Sequence, residues 1–215
     1  MTDSTNKQYD IVIAGGGMIG ASLALALSPL GLRVAVVEAV ARGEALQPSF
    51  DDRSTALSRS TQRMFEAMGL WDDVISAATP IRRIHVSDRG RFGFSHIDAA
   101  EQGVEALGYV VINRVLGEVL QSALLKSETV DVLCPARVVD IEMSSELATA
   151  KIEMEEGHEQ ELGCQLLVAA DGSSARAFTT LSGEPLRVPD GVELVGMHVP
   201  SATSGQAGEA PSPGR

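Results

Sequence analysis

The chain has 215 residues and is 44% hydrophobic, which is enough to bury a sizeable core over one or two domains and excludes a disordered chain. Its 17 basic and 29 acidic residues give a formal net charge of -12. That balance argues against a nucleic-acid partner, because binding to a phosphate backbone depends on clustered Lys and Arg.

The first elements along the chain predict a βαβ unit. An apolar, β-branched run from Tyr9 to Gly15 predicts a buried parallel strand, and the small residues from Met18 to Gly31 predict a helix. A second strand is predicted from Arg33 to Ala39. This order is the start of a doubly wound parallel sheet, so the fold class expected is α/β.

Further along the chain the pattern changes. A helix is predicted from Ser54 to Gly69, and two extended segments around the turn "DRG" predict a hairpin from Ile81 to Ile97. A helix from Asn113 to Lys126 and several short strands follow, the last running from Leu166 to Ala169. The hairpin interrupts the α/β alternation, so a mixed sheet is expected beside the parallel one.

The turn after the first strand carries the spacing of a dinucleotide-binding fingerprint. Gly15, Gly17 and Gly20 lie between a predicted strand and a predicted helix, as that motif requires. The three glycines would allow the tight turn, the close approach of a pyrophosphate and the packing of helix on strand. Glu38 ends the second strand, where an acid accepts hydrogen bonds from a ribose hydroxyl. The fingerprint alone does not separate FAD from NAD.

A second polar pair follows the strand at Leu166 to Ala169. Asp171 and Gly172 would lie at the same carboxyl edge of the sheet as the glycine turn, where ligands of open α/β sheets bind. The other interpretation is that Asp171 caps a following helix, and the two roles are compatible.

Metal and disulfide chemistry are not indicated. Cys134 and Cys164 lie far apart in apolar segments, which predicts core thiols in a reducing compartment. The four histidines are scattered, so no metal site is expected and no catalytic residue is assigned. The N-terminus lacks the features of a signal peptide, and no apolar run has the length of a bilayer span. We expect a cytoplasmic protein, with peripheral contact at the inner membrane left open.

Five ordered segments resemble the FAD-dependent aromatic-ring hydroxylases, the single-component flavoprotein monooxygenases. Within that family, "VSDRG" and "ALGYVV" are most similar to the prenyl-methoxyphenol hydroxylases of ubiquinone biosynthesis. The segments, between about Tyr9 and Leu186, are "YDIVIAGGGMIGASLALAL" with Glu38, "DDRSTALS", "IHVSDRGRFGF", "ALGYVVINRVLGEVL" and "LLVAADGSS".

The resemblance implies a Rossmann-like FAD-binding fold with an inserted β-hairpin or mixed sheet. It implies that a prenylated phenol is hydroxylated with NAD(P)H and oxygen, and it leaves open a complex with other ubiquinone-biosynthesis proteins. The glycines and Glu38 would hold the ADP half of FAD, two arginines would approach the flavin, and the Asp-Gly pair would serve FAD and indirectly NAD(P)H. These residues are Gly15, Gly17, Gly20, Glu38, Arg53, Arg114, Asp171 and Gly172.

The chain departs from the family pattern near its end. Ala175 stands where the family usually has a serine, and the family's later Gly-Asp motif does not appear in these 215 residues, so we expect the C-terminal part of the family fold to be missing. We expect an incomplete FAD-binding domain over 9–187, with a substrate-side β segment at about 81–108. Residues 188–215 form a Ser-, Gly- and Pro-rich segment that predicts disorder. The expectation is a truncated or frameshifted product.

Two other functions stay open on the sequence. The fingerprint with Glu38 also fits an NAD-dependent dehydrogenase, although the "DDRSTALS" and Asp-Gly segments do not require one. A non-catalytic nucleotide-binding subunit is the third alternative. Bound flavin favours the hydroxylase, affinity for NAD without flavin favours the dehydrogenase, and copurification with a partner favours the subunit.

Overall fold

A computed structural model describes residues 7–41, 52–87, 92–144, 147–170 and 194–196. The helices of these segments are α1 (Met18–Leu27), α2 (Arg59–Ala67), α3 (Trp71–Ile75) and α4 (Asn113–Lys126). The strands are β1 (Lys7–Ala14), β2 (Val34–Val37), β3 (Ser54–Ser58), β4 (Thr79–Ile81), β5 (Arg83–Ser87), β6 (Phe94–Asp98), β7 (Gly108–Ile112), β8 (Val130–Leu133), β9 (Ala136–Met143), β10 (Ala148–Met154), β11 (Glu159–Ala169) and β12 (Leu194–Gly196).

The main sheet confirms the predicted α/β fold. Its strands lie in the order β8-β2-β1-β11-β10-β9, and the first four run parallel. The last two continue the sheet in antiparallel pairing, so the sheet is mixed, as expected. All four residues of β2 are buried, as is typical of a parallel strand covered on both faces.

Two hydrophobic clusters cover the two faces of the parallel strands. Ile13 and Val36 pack with residues of all four helices, whereas Val12 and Ala35 pack with residues of β9, β10 and β11. Neighbouring residues of one strand therefore face opposite cores, which is the alternation a strand imposes. The helix-side core includes the edge-on contact of Trp71 with Tyr109, whose ring centroids are 4.9 Å apart.

The segment Ser54–Ser58 is a strand, so the prediction of a helix beginning at Ser54 is wrong for these five residues. They pair antiparallel with β7, with Ser54 opposite Ile112 and Ser58 opposite Gly108. Helix α2 starts only after Ser58, whose hydroxyl accepts the backbone N–H of Thr61 at 3.2 Å. Pairing with a strand fifty or more residues away outweighs the local helical pattern.

The predicted hairpin is confirmed. Strands β5 and β6 pair antiparallel with His85 opposite His96, while the "DRG" turn between them lies outside the described residues. Strand β12 lies in the segment 188–215 that the sequence predicts to be disordered, and it pairs parallel with β11 through Leu194 and Val195. Among the described helices, none has the length and apolar character needed to span a bilayer.

Candidate functional site

The residues that follow the parallel strands meet at one edge of the main sheet. Gly15 follows β1 and donates its N–H to the carbonyl of Val37 at 2.8 Å. Glu38 follows β2 and donates its backbone N–H to the carbonyl of Leu133 at 2.9 Å. Ala170 follows β11 and donates to Ala14 at 2.7 Å. The glycine turn and Glu38 therefore lie side by side where open α/β sheets bind ligands.

The glycine turn has the geometry that a nucleotide fingerprint requires. Gly15 has a φ of 107°, a conformation that residues with a side chain rarely adopt. A Cβ on Gly20 would lie 1.9 Å from the carbonyl oxygen of Gly15, so no side chain fits where α1 meets the turn. Gly17 precedes α1 in an extended conformation and has no side chain with which to cap the helix. The N-terminus of α1, with its free backbone N–H groups and the positive end of the helix dipole, therefore begins directly after the glycine turn.

Glu38 binds the turn directly. Glu38 is only 9% exposed, and its Oε2 accepts the N–H of Gly16 at 2.6 Å. Its Oε1 accepts the N–H of Val40 at 2.8 Å. A carboxylate has about four lone-pair positions, so these two bonds leave capacity to accept a ribose hydroxyl.

Gln121 is a site residue that the sequence reasoning missed. Its Nε2 donates to the carbonyl oxygen of Gly16 at 3.1 Å. Gln121 is partly buried on α4, next to Leu120 and one turn after Gly117, both of which are buried. A polar residue among buried positions of a helix was the available signal, because a partly buried amide needs a partner.

The two arginines implied by the resemblance lie together in the structure. The backbone N–H of Asn113 donates to the carbonyl of Arg53 at 2.8 Å, and Arg114 is the next residue of α4. Both side chains are exposed. Asn113 itself is buried, and its Oδ1 accepts the hydroxyl of Thr55 at 2.6 Å. The register of β3 with β7 thus brings Asp52 and Arg53 to the start of α4.

Arg114 is bound by two carboxylates. Its Nη1 lies 3.1 Å from Glu118 Oε1, and its Nε lies 3.3 Å from Asp52 Oδ1. The hydrogen bond with Glu118, followed by the one with Asp52, raises the pKa of Arg114 above its usual value. The guanidinium therefore keeps its charge at all working pH values.

The other residues that the sequence singled out are the Asp-Gly pair and the two cysteines. Asp171 and Gly172 lie outside the described residues. Cys164 is buried, as expected, and burial raises the pKa of its thiol to about 11. The Cys134 thiol donates to the carbonyl of Val40 at 3.3 Å, close to the backbone of Glu38. Within the described ranges, no group of three or more His, Cys, Asp or Glu side chains could hold a metal ion.

Curated proteins similar to this chain include ubiquinone hydroxylases. Ubiquinone hydroxylase UbiL of Rhodospirillum rubrum is 33% identical over 173 residues, covering 80% of this chain and 39% of that protein. The 3-demethoxyubiquinol 3-hydroxylase of Escherichia coli is 30% identical over 176 residues, covering 80% of this chain and 43% of that protein. The chain thus spans about two fifths of the length of these relatives.

Solved structures and a family model identify the fold and the family. The p-nitrophenol 4-monooxygenase PnpA of Pseudomonas putida matches with a TM-score of 0.67 at 22% identity, over 82% of this chain and 44% of that one. The flavin-dependent monooxygenase PieE, solved with FAD and substrate, matches with a TM-score of 0.65 at 22% identity, over 81% of this chain and 32% of that one. These likenesses show the fold. The model of the FAD binding domain matches residues 8–206, and the chain belongs to that FAD-binding family.

Proposed function

We propose that this chain binds FAD and forms the nucleotide-binding part of a monooxygenase that hydroxylates a prenylated phenol in ubiquinone biosynthesis. The observation that carries the proposal is the glycine turn, which has no room for a Cβ at Gly20 and lies against the carboxylate of Glu38. The similarity to ubiquinone hydroxylases supports the reaction class and the substrate class.

The turn and Glu38 fit the ADP half of FAD. The N-terminus of α1 follows Gly17 and offers backbone N–H groups and a positive dipole end to a pyrophosphate. Glu38 is placed to accept a ribose hydroxyl with the lone pairs that Gly16 and Val40 leave. A carboxylate at this position would repel a 2′-phosphate, which agrees with an adenosine ribose that lacks one.

The arginines fit the part of FAD beyond the pyrophosphate. Arg114 precedes Gln121 by seven residues on α4, which is about two turns and roughly 10 Å along the helix. Arg114 therefore lies on the same side of α4 as the residue that touches the glycine turn. We propose that Arg53 and Arg114 hold the flavin half, and that Arg114 exchanges its contacts with Asp52 and Glu118 for the cofactor.

FAD, when bound, supplies the electron transfer from NAD(P)H and the activation of oxygen. The residues of this chain would bind and orient the nucleotide, and none of them is assigned a proton-transfer role. We propose Asp171 and Gly172 as a second nucleotide contact. The backbone N–H of Ala170, directly before them, donates to the carbonyl of Ala14, the residue before the glycine turn.

A prenylated phenol is largely apolar, so we propose that the substrate is taken from a membrane surface or from a partner of the same pathway. The test of the reaction class is an assay of the FAD-loaded chain with NADH or NADPH, a 2-prenylphenol and oxygen-18. A ring-hydroxylated product that carries one oxygen-18 atom would support the reaction class. Absence of that product, with the chain loaded with FAD, would limit this chain to the nucleotide-binding part, and absence of FAD binding would contradict the proposal. Reduction of NAD without flavin would favour a dehydrogenase.

A further inference from the structure

The two peptide groups that flank Gly16 are each held by a side chain from a different element. Glu38, at the end of β2, accepts the N–H of Gly16 at 2.6 Å. Gln121, on α4, donates to the carbonyl oxygen of Gly16 at 3.1 Å. Gly16 is the residue between the first two glycines of the fingerprint, and the sequence reasoning gave it no role.

Each bond also fixes the group at the other end of its peptide. In a trans peptide the C=O and the following N–H point in opposite directions. The bond from Gln121 to the Gly16 carbonyl therefore sets the direction of the Gly17 N–H. The bond to Glu38 sets the direction of the Gly15 carbonyl in the same way. The backbone of three successive glycines, Gly15 to Gly17, would otherwise rotate more freely, because none of them has a side chain to limit rotation.

Space around Gly16 makes this arrangement specific. A Cβ on Gly16 would lie 3.0 Å from Cβ of Glu38 and 3.2 Å from Cγ1 of Val36, so the turn is pressed against β2. Gln121 reaches the carbonyl from the opposite element, α4, which packs with α1 in the helix-side core. The turn is thus clamped between the end of β2 and α4.

We infer that Gln121 is a positioning residue that orients the Gly17 N–H toward the pyrophosphate of the bound nucleotide. The inference rests on the proposed binding of FAD. Gln121 acts through the Gly16 peptide and is given no contact with the cofactor. Loss of its amide would let the peptide of Gly16 and Gly17 rotate, so a nucleotide would have to restore the order of the turn on binding and would bind more weakly.

The test replaces Gln121 by methionine, which has a similar length and no donor. FAD affinity is measured by quenching of flavin fluorescence, and ADP affinity by calorimetry, because ADP carries the pyrophosphate without the flavin. Q121M is expected to lower the affinities for FAD and ADP by the same factor, roughly tenfold, because one orienting hydrogen bond is lost. The melting temperature should change little. Q121E keeps the size of the side chain and places an acceptor against the carbonyl oxygen of Gly16, so it should lower both affinities at least as much.

Gln62 provides the matched control. It lies on α2, where its Nε2 donates to Glu66 Oε1 at 2.8 Å, and Q62M should leave both affinities unchanged. Wild-type affinity in folded Q121M or Q121E would overturn the positioning role and leave FAD binding in place. A fall in melting temperature with unchanged affinities would also overturn it, because the bond would then be structural only. If the wild-type chain binds neither FAD nor ADP, the proposed function fails and the inference fails with it.

Discussion

The Cβ position of Gly20 lies 1.9 Å from the carbonyl oxygen of Gly15, so the first turn of α1 and the start of the glycine turn are in backbone contact. This contact fixes where the helix N-terminus lies relative to β1. Any side chain at position 20 would push α1 away from the edge of the sheet.

Gly20→Ala should therefore destabilise the fold and abolish nucleotide binding. The clash is with backbone and cannot be relieved by a side-chain rotation, so we expect a loss of at least about 2 kcal/mol in the free energy of unfolding. Chemical denaturation and FAD titration measure the two effects. Gly31→Ala is the control: Gly31 has a φ of 70° and nothing within 4 Å of its Cβ position, so strain alone should cost about 1 kcal/mol and FAD affinity should persist. Equal behaviour of the two variants would contradict the role of the contact.

Glu38→Gln should lower both the stability of the protein and its affinity for FAD. The carboxylate accepts N–H groups from Gly16 and Val40, and an amide side chain would place an NH₂ against one of them. We expect a loss of about 1–3 kcal/mol in stability and a weaker FAD complex. Glu66→Gln, at an exposed residue on α2, should change stability by less than about 0.5 kcal/mol. Unchanged FAD affinity in the Glu38 variant would remove this residue from the proposed site.

Arg114→Ala should lower the affinity for FAD and have little effect on stability. The side chains of Arg114, Asp52 and Glu118 are 53%, 87% and 64% exposed, so loss of these ion pairs should cost less than about 1 kcal/mol. FAD affinity should fall roughly tenfold if the guanidinium binds the cofactor. Arg63→Ala, at an exposed position of α2, is the charge-matched control. A Kd for FAD that stays the same in Arg114→Ala would show that Arg114 is only a surface residue.

The buried thiol of Cys164 should make stability depend on alkaline pH. Burial raises its pKa from the ordinary value of about 9 to about 11, so the unfolded chain releases a proton in this range before the folded chain does. The contribution is complete below pH 9 and is lost as the pH rises toward 11. Denaturation at several pH values between 9 and 11 should show a decline that is smaller in Cys164→Ala. Tyr9, whose pKa burial raises above its ordinary value of 10.0, contributes to the decline equally in both proteins. An identical slope in both proteins would contradict the assignment.

The same burial predicts low reactivity. A thiol reagent at pH 8 should modify Cys164 only after denaturation, because the thiolate is the reactive form and the side chain is inaccessible. Modification of folded Cys164, detected by mass spectrometry of its peptide, would show that this part of β11 opens readily.

The local parts of the fold and site were predictable from the sequence. The βαβ unit, the glycine turn and Glu38 all lie between Lys7 and Glu38, and their patterns depend on neighbours in the chain. The segment at Ser54–Ser58 was not predictable, because it becomes a strand only by pairing with β7. Gln121 was also missed, since its contact with Gly16 joins residues 105 positions apart. Contacts of this kind depend on how α4 packs, which no local pattern specifies.

The contact between the segments that carry Arg53 and Arg114 was also not predictable from the sequence alone. The resemblance implied a shared role for them, but only the bond between Asn113 and the carbonyl of Arg53 shows that the two segments meet. Their present partners, Asp52 and Glu118, were not anticipated for Arg114.

A titration of the purified chain and of Gly17→Val with FAD shows whether this chain binds FAD through the glycine turn. Gly17 has φ and ψ of -66° and -170°, which a residue with a side chain adopts without strain, so the variant should fold. Saturable quenching of flavin fluorescence by the wild-type chain, lost in Gly17→Val at an unchanged melting temperature, is the predicted result. No saturable binding by the wild-type chain, or equal binding by both proteins, would rule out FAD binding at the glycine turn.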